Sequence, residues 1–207
     1  MYVTAWEDYA GGWKSVDDEL RRIVRRHGWN SWQNVFTKVV FVDGIYRAGL
    51  PRVLGRDATK SVASVLVGSK AIAQSIEGLR RHHGQLTEAA VRDVLEAHGQ
   101  LLAAVTSAGG IDAKSARSFA SKFLHFHDAV VPIIDSRTAE TRARFLTWKG
   151  APRELRQAGM DWPRPVGCDP QYRWHVIRVA LLWKHLSALG PSAKVTVKGL
   201  DHMLLRG

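Results

Sequence analysis

Two polar residues between Gly109 and Arg144 have the types and spacing that nucleophilic and acid–base chemistry needs. Lys114 stands just past a Gly109-Gly110 pair, and Asp135 directly follows the apolar run Val130-Val131-Pro132-Ile133-Ile134. An amine in the first turn of a helix sits beside the positive end of the helix dipole, which lowers its pKa and sharpens it as a nucleophile. A carboxylate at the edge of an apolar wall can stabilise developing positive charge or carry a proton; an aspartate there also serves as a helix cap. A helix from Lys114 to about Phe126 rises roughly 18–20 Å, and an extended connector over 127–134 spans roughly 25 Å. The chain can therefore return Asp135 to the start of that helix, beside Lys114. Lys122 is the alternative amine; it lies about 12 Å further along the axis and is favoured only if the connector is crumpled.

Other reactive types carry less. His125 and His127 are two positions apart and point to different sides of a helix, whereas metal-binding pairs sit three or four apart. No metal or other cofactor is expected. The lone Cys168 excludes an internal disulfide framework and a four-thiolate zinc or iron–sulfur site, and places the chain in the reducing cytoplasm. Ser115, Ser118 and Ser121 lack a nucleophile-elbow pattern.

The elements that must position these residues read as helices throughout. Ser15-Val16-Asp17-Asp18 predicts a capped start to a first helix that ends at Gly28. A second runs from about Ser31 to Leu50, closed by Pro51. One or two more cover 57–83, with Gly68 as the break and Gly84 as the stop. Thr87 opens the clearest amphipathic helix, which ends at Ser107-Ala108-Gly109-Gly110. The next spans Asp112 to about His127, followed by a buried extended connector over 129–134 and a helix from Asp135-Ser136 to about Lys149. Residues 150–170 hold four of the seven prolines and read as a long loop. Helices over Tyr172–Leu189 and Val197–Leu205 finish the chain. No period-two alternation appears, so the fold class is all-α.

Lys and Arg number 30 against 19 acids, a net charge of +11 over 207 residues, which favours a polyanionic partner. Duplex DNA is the densest common one, and an acidic membrane surface is the competitor. No apolar run approaches the ~18–20 residues of a membrane span, and the N-terminus lacks a signal pattern. Eight tryptophans accompany the arginines; they suit stacking on unpaired bases or filling a core. A Gly-Gly helix junction presents amides to phosphate oxygens, but such junctions also arise for backbone reasons alone.

Residues 109–144 resemble the helix-hairpin-helix DNA glycosylases, in particular a bacterial 8-oxoguanine glycosylase-like group. Gly110, Ile111, Lys114, Ser115 and Ala116 fit the hairpin pattern, with Gly109 in place of its proline and Asp112 in place of its second glycine. Val131-Pro132-Ile133-Ile134-Asp135 matches the placement of the family's catalytic aspartate. The run Ser118 to His127 and the Pro132 to Ser136 segment carry the likeness to the bacterial group. The resemblance implies one two-lobed all-helical domain over 1–207, with lobes at about 31–126 and 1–30 plus 127–207. It implies a monomer that flips a damaged or modified base out of duplex DNA. It assigns Asp135 to charge stabilisation or proton transfer, Lys114, with Lys122 as the alternative, to a Schiff-base amine with lyase activity, and Gly109, Gly110, Ile111, Arg117 and Arg137 to DNA contact; if neither amine reaches the sugar, Asp135 activates water and the enzyme is monofunctional. A non-catalytic DNA-binding protein and a structural or regulatory helical protein are the alternatives.

Overall fold

The computed structural model describes residues 12–46, 50, 57–135, 138, 146–189 and 195–206. Its described residues form an all-helical fold without strands: α1 (Trp13–Arg26), α2 (Trp32–Tyr46), α3 (Ala58–Leu66), α4 (Lys70–Leu79), a 3-10 turn (Arg80–His82), α5 (Glu88–Ser107), α6 (Ala113–His127), α7 (Ala151–Asp161), α8 (Pro170–Ala188) and α9 (Val197–Arg206). The expected starts at Thr87 and Asp112 hold as caps. Thr87 accepts the Ala90 amide, and Asp112 accepts those of Lys114 and Ser115. These side chains satisfy amides that a helix start leaves without partners.

Helix α5 packs against α3, α4, α6 and α8, and α6 against α1, α2 and α5. One hydrophobic cluster runs from Leu20 to Leu204 and draws on both stretches expected as lobes. A smaller one joins Ala158 of α7 to Ile177 and Leu181 of α8. Of the tryptophans, Trp29, Trp32, Trp148, Trp162 and Trp183 pack partly buried against the main cluster, while Trp13 and Trp174 stay exposed.

Three local expectations are corrected. Helix α1 begins at Trp13 rather than at Ser15, and Asp17 is no cap: it is fully buried, in phase with Leu20 and Val24. The stretch after Gly150 is not a long loop. Gly150 enters α7 with φ +95°, and Pro152 falls in the first turn, where its missing N–H costs no hydrogen bond. Gly159 persists inside α7 because a Cβ there would lie 2.2 Å from the Trp174 ring. Residues 146–150, expected as the end of a helix, are non-helical. Thr138 is helical; residues 136–137 and 139–145 of that predicted helix, and Pro51, lie outside the described residues.

Candidate active site

Helix α6 is buried on every side from Phe119 to Asp128. Its polar members therefore need partners inside the protein. Lys122 reaches the end of α2, where its Nζ donates to Tyr46 O at 3.1 Å. That carbonyl lies at the negative end of the α2 dipole, a natural seat for an ammonium. Burial lowers the Lys122 pKa; the charges of Asp135 and Asp43 oppose the shift, and Lys198 adds to it. Asp135 acts on Lys122 through space, without a direct ion pair.

The position of Asp135 follows from the connector. An extended segment buried without a sheet must satisfy its backbone groups with side chains, and here α6, α8, α9 and the connector's own Asp128 supply them. Asp128 accepts the Val130 amide at 3.0 Å. His125 Nδ1 donates to Val131 O at 2.7 Å, while its Nε2 accepts from Arg21 at 2.9 Å. Tyr172 of α8 donates to Pro132 O at 2.9 Å. Asp201 of α9 accepts the Ile133 amide at 3.3 Å, and Ser121 accepts that of Ile134 at 3.1 Å. Asp135 and Thr138 then cap each other: Asp135 N donates to Thr138 Oγ1 at 3.0 Å, and Thr138 N to Asp135 Oδ1 at 2.9 Å. Asp135 is half-buried, and its Oδ2 has no donor among the described residues.

The pairing thus differs from the expected one. The connector crosses α6 at Ser121, not at the helix start, so Asp135 faces the Lys122 end. Lys114 is exposed in the first turn, and its backbone amide is bound by Asp112. An extended connector has the reach to return to Lys114, but its side-chain partners stop it at Ser121.

A second buried ionic group adjoins the first. Asp17 and Lys198 pair at 3.1 Å, both nearly fully buried. The Tyr46 hydroxyl donates to Asp17, and Lys198 Nζ lies 3.3 Å from that hydroxyl. Burial raises Asp201 to about 8, with Lys198 opposing, and its Oδ1 has no hydrogen-bond partner among the described residues. Burial lowers His202 to about 4 and keeps His125 neutral, well below its ordinary range. Asp17, Asp43, Tyr46, Lys198 and Asp201 were not among the expected site residues. Their signal in the sequence is a polar side chain in phase with a buried apolar stripe, as Asp17 is with Leu20 and Val24.

The hairpin residues hold other roles. Gly109 and Gly110 turn the chain with φ +86° and +68°, conformations that glycine adopts without strain, and Ile111 anchors the turn in the core. Asp112 accepts both Lys114 N and Ser115 N at 2.9 Å, and the Ser115 hydroxyl at 2.7 Å. These bonds, those from Ser115 first, hold its carboxyl below the usual range. A negative charge therefore already occupies the helix end that a phosphate would use. Arg117, expected at DNA, forms a two-pronged pair with Asp169 at 2.7 and 2.8 Å, and Asp169 caps α8 through Tyr172 N. Arg137 lies outside the described residues.

Among the described residues no group of three His, Cys, Asp or Glu side chains is placed to hold a metal ion, and no helix is long and apolar enough to cross a membrane. No family model, curated protein or solved structure matches the chain.

Proposed function

We propose that the protein is a monomeric, two-lobed DNA glycosylase of the helix-hairpin-helix kind, working in the cytoplasm, which flips an 8-oxoguanine-like base from duplex DNA and excises it with Lys122 as the attacking amine. The observation that carries this reading is the buried Lys122 amine, with the Asp135 carboxylate acting on it across a gap wider than an ion pair. On this reading the sugar enters between them, with the amine on one side of its anomeric carbon and the carboxylate on the other.

Burial favours the neutral form of Lys122, which holds the lone pair that attacks. The Nζ lone pair forms a bond to C1′ of the deoxyribose. The glycosidic C1′–N bond breaks, and the base leaves with that electron pair and takes up a proton. Asp135 stabilises the positive charge that develops on the sugar. Opening of the ring leaves a Schiff base to Lys122, from which elimination of the 3′ phosphate breaks the strand. Lys114 becomes a surface cation on this reading.

Borohydride trapping on duplexes carrying 8-oxoguanine and a panel of other lesions tests it. Lys122→Gln abolishes the covalent complex, Lys114→Gln keeps it, and Asp135→Asn loses base release. Full base release by Asp135→Asn would overturn the assignment.

A second reading treats the same network as a structural brace, because Lys122 Nζ already donates to Tyr46 O. On that reading Lys122→Gln lowers stability and the protein releases no base from any lesion duplex.

A further inference from the structure

With Asp112 over the hairpin amides and Arg117 paired to Asp169, a second group of cations gathers elsewhere, with one exposed carboxylate, Glu77, among them. Lys38 lies on α2 among Val35, Val39 and Val42 and is 1% exposed. Its Nζ sits 4.0 Å from the centroid of the Trp29 ring and 3.4 Å from His127 Nε2. No carboxylate among the described residues faces it. His127 donates from Nδ1 to Phe123 O at 2.9 Å, which leaves Nε2 as an acceptor. Burial, then the charge of Lys38, holds this imidazole neutral, with a pKa of about 3. Trp29 stacks on the same ring at 5.2 Å.

Two exposed arginines stand around this stack. Arg25, near the end of α1, donates its Nε to His127 O at 3.4 Å, its one acceptor among the described residues. Arg80 opens the 3-10 turn, and its acid, Glu77, is itself exposed. Arg80 is near enough to press on both Lys38 and His127. Cations from α1, α2 and the 3-10 turn thus converge on one half-buried tryptophan, with a single solvated carboxylate among them. Like charges so placed repel, and a bound anion relieves the repulsion.

We infer that Arg25 and Arg80, over the buried ammonium of Lys38, form a phosphate site for the backbone of a nucleic-acid strand. The guanidiniums make the direct contacts, and Lys38 adds charge from beneath the Trp29 ring. Lys38 lies about 12 Å along α2 from Tyr46, the residue that holds Lys122. Measured along a duplex axis, that is about three to four base-pair steps. The site therefore grips the backbone a few nucleotides from the one that is flipped. The inference rests on the proposed function for the source of its phosphate; free inorganic phosphate offers the same chemistry.

Affinity for a plain duplex, measured against KCl concentration, tests it. Arg25→Ala and Arg80→Ala each flatten the log–log slope by about 0.9, one phosphate contact, while the exposed Lys184→Ala leaves it unchanged. Thermal melts of the variants check that each is folded. If both arginine variants keep the wild-type slope, this site is wrong and the DNA reading stands. If the wild type binds no duplex, the DNA reading falls. Inorganic phosphate then decides the site: a rise in wild-type Tm that Arg25→Ala loses keeps it, with free phosphate as its ligand, and no rise overturns it.

Discussion

Ser121 Oγ accepts the Ile134 amide at 3.1 Å, and this bond sets which lysine Asp135 stands nearer. The hydroxyl donates in turn to Ser118 O at 3.0 Å, so its geometry is held from both sides. Removing it leaves a buried amide without an acceptor, at a cost of about 1–3 kcal/mol. Ser121→Ala is expected to lose that much in urea unfolding. On the proposed function it also lowers the yield of trapped complex, because Asp135 is released from its place opposite Lys122.

Asp17 and Lys198 form an ion pair with almost no exposure. Breaking such a pair strands a buried charge, which costs about 3–5 kcal/mol. Asp17→Leu or Lys198→Met alone is expected to fall in that range. The double substitution recovers most of the loss, because neither charge is left behind. A double-mutant cycle by denaturant unfolding checks this.

Burial raises Asp201 to about 8 from an ordinary 3.8. The unfolded chain releases this proton near the lower value and the folded chain near the upper one. Between them the folded state holds more protons, so this group makes stability fall as pH rises, by about 1.4 kcal/mol per pH unit. Asp201→Asn keeps the neutral side chain and removes the slope. The variant is therefore expected to gain on the wild type between about pH 5 and about pH 7, as read from urea midpoints at each pH.

Asp112 holds the amides at the start of α6. Asp112→Gly removes that cap at a cost of a few tenths to about 1 kcal/mol, and uncovers the amides. If duplex DNA can reach the hairpin, its affinity rises in this variant and its salt dependence steepens. Titration of a labelled duplex at two KCl concentrations reads both effects.

Gly99 of α5 faces the loop before α8, where a Cβ would lie 2.9 Å from Gly167 O. The neighbour is backbone and yields poorly. Gly99→Ala is expected to lose about 1–3 kcal/mol despite its better helix propensity, measured as a drop in Tm.

The helical class, the helix starts at Thr87 and Asp112, the hairpin at Gly109-Gly110 and the extended segment before Asp135 are all legible in the order of residues alone. Apolar periodicity, glycine and short polar side chains act within a turn or two of themselves, so their effects can be read locally. Helix α7 stands where the composition suggests a loop, because a proline in a first turn and a glycine under Trp174 look like loop residues until their neighbours are known. The choice of Lys122 over Lys114, the burial of Asp17, Lys38 and Asp201, and the capture of Arg117 by Asp169 were decided only in three dimensions. Each depends on partners far along the chain: Ser121 with Ile134, Asp17 with Lys198, Lys38 with His127. A charged residue in phase with an apolar stripe signals that it must be paired, but only packing supplies the partner.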